Sequence, residues 1–239
     1  MDSDDGRSGP HREQSLNASF DADPHGYDEM RASGHMARRR LEFFDNVVAH
    51  SEGTVVEIGA GTGVLLRQLA ERHPDRSFVG VEPLQNYVEF ARQQAESAGL
   101  RNTRFEVGTA EDLGSIVGGA SAGLVISVDM LHHVEDVGDV VAQVRQAVRP
   151  GGQWRAMEPN RVHPYVLAYH VLTEGERVFP VRAFLRLADQ GGWRLHGRRN
   201  MYVFPSGVQK VPTWAKHFER IAERLRPVAG AVVLDLRGV

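Results

Sequence analysis

The chain contains no cysteine. That excludes disulfides, zinc–thiolate sites and thiol nucleophiles. It has no apolar run near the roughly 20 residues that a membrane-spanning helix needs. Its opening stretch, MDSDDGRSGPHREQSLNASF, has no apolar core either and does not read as a secretory signal. Charge of one sign is also missing. The net charge is −3 over 239 residues, so composition gives no reason to expect nucleic acid or another polyanion as a partner. The run Arg38-Arg39-Arg40 reads as a solvated helix face. These absences lead to the expectation of a soluble, cytoplasmic protein with neither nucleic acid nor membrane as a partner. The 41% of hydrophobic residues is enough to fill the core of one α/β domain of this length.

What is present has a rhythm. After a polar tail, expected to be disordered over residues 1–20, residues 28–50 read as one or two helices and form a helical cap spanning 21–52. Short apolar runs then alternate with segments of helical spacing. Expected strands are Thr54–Ile58, Ser77–Val81, Thr103–Val107, Leu124–Val128 and Gln153–Met157. Expected helices are Val64–Arg72, Tyr87–Ala98 and Val137–Val148, with stops at Gly99 and Pro150-Gly151-Gly152. Strand–helix alternation predicts a doubly wound, mostly parallel sheet. The stretch from about 159 to 180 is too long for an ordinary connection and reads as a lid. A helix over Val181–Gln190, a strand over Trp193–Val203, a helix near Trp214–Leu225 and a strand over Ala231–Leu236 complete the expected elements. This makes seven strands, with an antiparallel strand at one edge, in a domain covering 53–239.

The segment VVEIGAGTGVLL, residues 55–66, places Gly59, Gly61 and Gly63 just after the first strand. Glycines at such a turn let a ligand approach the backbone. The spacing departs from the dinucleotide fingerprint, because the third glycine comes one residue early. A P-loop is excluded too, since no Gly-Lys-Ser/Thr follows.

The segment resembles the first motif of the class I S-adenosylmethionine-dependent methyltransferases, acidic-x-G-x-G-x-G. Further segments resemble that family in the same order: FVGVEPLQ (78–85), GTAEDL (108–113), LVISVDMLHHVEDV (124–137) and VRQAVRPGGQW (144–154). The resemblance implies a seven-stranded Rossmann-like fold. It also implies S-adenosyl-L-methionine as co-substrate, with S-adenosyl-L-homocysteine as product. Glu57 would lie near the cationic end of that molecule, with Gly59, Ala60, Gly61 and Gly63 beside its methionine part. Glu82 would hold the ribose hydroxyls, next to Pro83. Thr109, Ala110, Glu111 and Asp112 would line the adenine, and Ser127 and Val128 would end the fourth strand at the pocket. Glu111 and Asp112 are equally suited to cap a helix.

Methyl transfer from a sulfonium is an in-line displacement in which alignment does most of the work. A base matters only for a nucleophile that still carries its proton. His132 and His133 follow the fourth strand, at the rim where such sheets bind ligands, and are the candidates for that role. Tyr27 and Tyr165 are the next. Together with His163, Tyr169 and His170 they give the two covering regions an aromatic character suited to a planar or apolar acceptor. Asp129, Glu158 and Asn160 are oxygen ligands of the kind magnesium takes. Pro159 separates two of them where an adjacent pair is needed, so no metal is expected. The expected acceptor is a small molecule, methylated at C, N or O in specialised-metabolite biosynthesis. Three alternatives remain: a quinone or lipid-precursor C-methyltransferase, an RNA methyltransferase and a non-catalytic cofactor-binding subunit. A homodimer is left open.

Overall fold

The computed structural model describes residues 23–173 and 177–239. The expected disordered tail, 1–20, lies outside the described residues. Helices α1 (Pro24–Ala32) and α2 (Gly34–Ala49) precede strand β1 (Thr54–Ile58). There follow α3 (Val64–Arg72), β2 (Phe78–Glu82), α4 (Gln85–Ser97), β3 (Thr103–Val107), α5 (Leu113–Val117), β4 (Ala122–Val128), α6 (Val137–Ala147) and β5 (Val148–Pro159). The chain then runs through α7 (Pro164–Leu172), α8 (Val181–Gln190), β6 (Trp193–Met201), α9 (Thr213–Ala222) and β7 (Ala231–Gly238).

The sheet has seven strands in the order β3-β2-β1-β4-β5-β7-β6. Strands β1 to β5 pair in parallel. The expected antiparallel strand is β7, which lies between β5 and β6 and runs against both. In β1, β2 and β4 nearly every residue is buried, as parallel strands covered on both faces require. Their side chains alternate between two cores. On one face Val56, Ile58 and Val125 pack with Val140, Val144, Trp154 and Phe184. On the other, Val55, Leu124 and Ile126 pack with Phe44, Val48, Leu66 and Val88. By this alternation Glu57 shares the face of Val55, the one covered by α2, α3 and α4.

Four local features differ from the sequence reading. The stretch after β5 contains α7, a helix none of whose residues is buried. Its continuous apolar run, VLAYHVL, shows no periodicity from which to recognise it. Helix α5 was not expected, because five residues are too short to show a period. Pro150-Gly151-Gly152 does end α6, but it lies within β5, where the register to β4 shifts between Ala122 and Leu124. Finally, the arginine run is not a solvated face. Arg40 is only 7% exposed, and Arg39 pairs with Glu219 and Glu223 of the α9 region. Only Arg38 stands exposed.

Candidate active site

The crevice at the carboxyl ends of β1, β2 and β4 forms where the strand order reverses, the ordinary ligand position in such sheets. Gly59, Gly61 and Gly63 all have positive φ, at 66°, 56° and 75°. Only glycine adopts that backbone freely. Each has a different neighbour. A Cβ on Gly63 would come within 2.5 Å of the Phe105 ring, so this glycine lets the turn pack onto β3. On Gly59 it would meet Met130 at 2.8 Å, and on Gly61 it would meet the Tyr27 ring at 3.0 Å.

Glu82 ties the turn together. Its Oε2 accepts from the Gly61 N–H at 2.8 Å and its Oε1 from the Leu84 N–H at 3.2 Å. Burial pushes this carboxyl up, and the two N–H groups oppose that. Pro83 beside it is exposed. Ala60 is buried in the turn, and its N–H donates to the Val81 carbonyl.

Glu57 is 4% exposed, and its Oε2 is buried with no hydrogen-bond partner among the described residues. Burial pushes it up to about 8, against the opposing charges of Arg40 and Arg31. A buried acceptor left without a partner is costly. This one lies at the end of β1, facing the side from which α1 covers the turn. A ligand that brings a cation and N–H donors would supply what it lacks.

Helix α1 packs over the crevice. Tyr27 lies against Gly61, with its ring 5.2 Å from that of Tyr87, and burial raises its phenol pKa. Arg31 pairs with Asp129 at 3.0 Å, and Arg67 with Asp28 at 2.6 Å. Asp129 itself has φ 53°, and Tyr202 has φ 70°. Such strained non-glycine positions gather at functional sites.

Past β4, Glu158 organises the rim. Its Oε1 accepts from the N–H groups of Met130 and Leu131, at 3.2 and 2.9 Å. Its Oε2 lies 2.7 Å from Nδ1 of His132. Glu158 is fully buried and His132 is 5% exposed. Burial raises the carboxyl pKa, and His132 opposes this. The His132 ring sits 4.0 Å from that of His133 and 5.4 Å from that of His170 on α7.

The remaining sequence candidates fall further from the turn or are engaged locally. Asp112 accepts from the N–H and hydroxyl of Thr109, closing a capping box, so its carboxylate serves its own turn. Glu111 is half-buried, and Ala110 is buried with Leu113 in the core. Ser127 is fully buried and its Oγ accepts from the Trp154 indole, while Val128 packs in the opposite core. Tyr165 stands 70% exposed on α7. Asn160 holds the carbonyls of Arg226 and Ala229 with its amide, so it braces a loop. Of the oxygen donors considered for magnesium, Asp129 Oδ2 is paired with Arg31, both Glu158 oxygens are engaged, and Asn160 Oδ1 accepts from the Val162 N–H. Among the described residues no group of three His, Asp or Glu side chains is placed to hold a metal. Sequence reasoning passed over Arg31, Arg40 and the Glu158–His132 pair. The available signal for the last was position, since Glu158 ends β5 as Glu82 ends β2.

A family profile described as "Methyltransferase domain" matches residues 55–152, the span from β1 into β5. That match takes in fewer than half of the chain's residues. The chain is 33% identical over 115 residues to a ubiquinone biosynthesis O-methyltransferase from Azorhizobium caulinodans, covering 48% of this chain and 44% of that protein. The chain thus spans under half the length of the curated relatives it matches first. In fold it is similar to a possible histamine N-methyltransferase from Thermotoga maritima, with a TM-score of 0.66 at 18% identity over 95% of this chain and 100% of that one. It is also similar to a geranyl diphosphate methyltransferase solved with GPP and sinefungin, with a TM-score of 0.66 at 17% identity over 85% and 79% of the two chains. Among the described residues no helix is long and apolar enough to cross a membrane.

Proposed function

We propose that the chain is a class I S-adenosylmethionine-dependent methyltransferase that binds S-adenosyl-L-methionine in the crevice over Gly59–Gly63 and methylates a small-molecule acceptor in specialised metabolism. The observation that carries the cofactor position is the unpartnered, buried Oε2 of Glu57 beside three positive-φ glycines. A sulfonium with an ammonium tail matches that acceptor, and Glu82 at the neighbouring strand end suits a ribose diol. When bound, the cofactor supplies a methyl group on an already activated leaving group. Glu57 neutralises the cationic end, Glu82 orients the sugar, and Tyr27 with α1 covers the turn and excludes water. Residues 21–52 then act as a cap, and the segment 159–180, with α7, as a lid.

Glu158 fixes the ring and tautomer of His132. With Nδ1 turned to the carboxylate, Nε2 is the atom placed to take a proton from a hydroxyl or amine acceptor. His133 and His170 line the same rim. A quinone-precursor hydroxyl is the second reading, favoured by the name of the relative from Azorhizobium caulinodans. A co-crystal with S-adenosylhomocysteine tests the whole assignment. The expected result is the homocysteine part against Gly61 and the ribose at Glu82. A ligand bound elsewhere, or no binding by calorimetry, would refute it.

A further inference from the structure

A cavity of about 470 Å³ lies away from the glycine turn, between the segment after β5, the start of α8, and β6. Five arginines line it: Arg161, Arg182, Arg186, Arg198 and Arg226. Among the described residues no aspartate or glutamate does. The chain is not short of acids, having 31 Asp and Glu against 28 Lys and Arg. Elsewhere it pairs its arginines closely, as in Arg39–Glu219, Arg67–Asp28 and Arg155–Asp235. Around this cavity no such pair occurs among the described residues, so five like charges face one space. Burial and the neighbouring Arg226 charge both push the Arg198 guanidinium down.

The walls are braced. Asn160 donates to the carbonyls of Arg226 and Ala229, at 2.6 and 2.8 Å, which fixes the Arg226 loop against the segment bearing Arg161. On the opposite side, Pro180, Val181, Arg182 and Ala183 bring the first turn of α8 to the cavity. That helix start has no side-chain cap and no acidic residue in its first turn. The positive end of its helix dipole adds to the cationic field of the guanidiniums. Guanidiniums in a fork match phosphate oxygens two at a time, and five exceed what one phosphate can engage.

We propose that this cavity binds the phosphate, preferentially the diphosphate, of a small ligand. The site is separate from the proposed cofactor crevice, and the inference does not depend on methyl transfer. The test is calorimetry on the full chain with inorganic pyrophosphate, orthophosphate and phenyl phosphate, at constant ionic strength set with sodium chloride. Saturable binding of one pyrophosphate per chain is expected, tighter than orthophosphate and unaffected by S-adenosylhomocysteine. Phenyl phosphate binding as well as orthophosphate would identify the source as an esterified ligand, and exclusion of phenyl phosphate would identify the free anion. Arg198→Gln with Arg226→Gln should weaken pyrophosphate at least tenfold. Arg101→Gln, an exposed arginine outside the cavity, should leave it unchanged. Melting temperature checks that each variant folds, since the substituted side chains are exposed. Absence of saturable binding, undiminished affinity in the double variant, or binding only of long RNA would overturn the proposal.

Discussion

Nδ1 of His132 lies 2.7 Å from Oε2 of Glu158, and the same carboxylate receives the N–H groups of Met130 and Leu131. One buried acid therefore fixes both the loop and the imidazole it carries. If His132 is the base, His132→Asn lowers kcat by about 10²–10⁴-fold and leaves cofactor affinity intact. The acid limb of the wild-type pH–rate profile, which protonation of the imidazole produces, vanishes in the variant. Glu158→Gln keeps a hydrogen-bonding side chain but loses the charge that orients and supports the imidazolium, so kcat falls with the acid limb displaced. Near-normal kcat with an unchanged limb in His132→Asn would eliminate the base role. The same assay on His133→Asn would then decide between the two histidines, with Tyr27 and Tyr165 next in line.

Glu57 yields a pH prediction. In the unfolded chain its carboxyl has the ordinary value near 4.5, and in the fold burial pushes it up to about 8. A group with a raised folded pKa contributes stability that is full below the unfolded value and is lost as pH rises through the folded one. The ligand-free protein should therefore lose stability from about pH 4.5 to 8, by an amount on the order of a few kcal/mol. Glu57→Gln should flatten this limb, read as melting temperature against pH. A cationic cofactor favours the ionised form, so its binding should release a proton near pH 7. Calorimetry in buffers of different ionisation enthalpy measures that directly. Identical pH slopes for wild type and variant would dismiss Glu57 as the source.

The three glycines should fail in different ways. Gly63→Ala drives a Cβ to 2.5 Å from Phe105 at φ 75°, so it should lower the melting temperature. Gly61→Val carries a Cβ to 3.0 Å from Tyr27, on the side from which α1 covers the turn. It should abolish cofactor binding in a protein that still folds. Equal loss of stability in both variants, or unchanged cofactor affinity in Gly61→Val, would contradict this division.

Glu82→Ala should weaken S-adenosylhomocysteine by roughly 1.5–3 kcal/mol, the range for hydrogen bonds to a charged group. Discrimination against the 2′-deoxyribose analogue should disappear with it. A variant that still discriminates would show that Glu82 serves only the N–H groups of Gly61 and Leu84.

Chelation supplies a negative control on the chemistry. Asp129 is paired with Arg31 and Glu158 with His132, and the Asn160 amide oxygen accepts from the Val162 N–H. Turnover should therefore persist in EDTA and not respond to added magnesium. Loss in EDTA with recovery on magnesium would mean that these partners are displaced in the working enzyme.

The sequence by itself determined the alternating elements, since burial on both faces of a parallel sheet forces apolar runs such as Val55–Ile58 between helices of regular apolar spacing. It determined the glycine turn as well, because positive φ at 59, 61 and 63 needs that residue type whatever surrounds it. It also placed Glu57, Glu82, His132 and His133 at strand ends, where position along the chain is enough. The partners were not legible. His132 and Glu158 are 26 residues apart, Arg31 and Asp129 are 98, and His35 and Glu219 are 184. Local spacing carries no information about such pairs. Only packing α1 and α2 onto the sheet turned Arg40 inward, set Tyr27 on Gly61 and left one oxygen of Glu57 without a partner. Likewise, the near-zero net charge concealed a cavity lined, among the described residues, by five arginines and no acid, because total charge sums over the chain while a site depends on which charges the fold brings together.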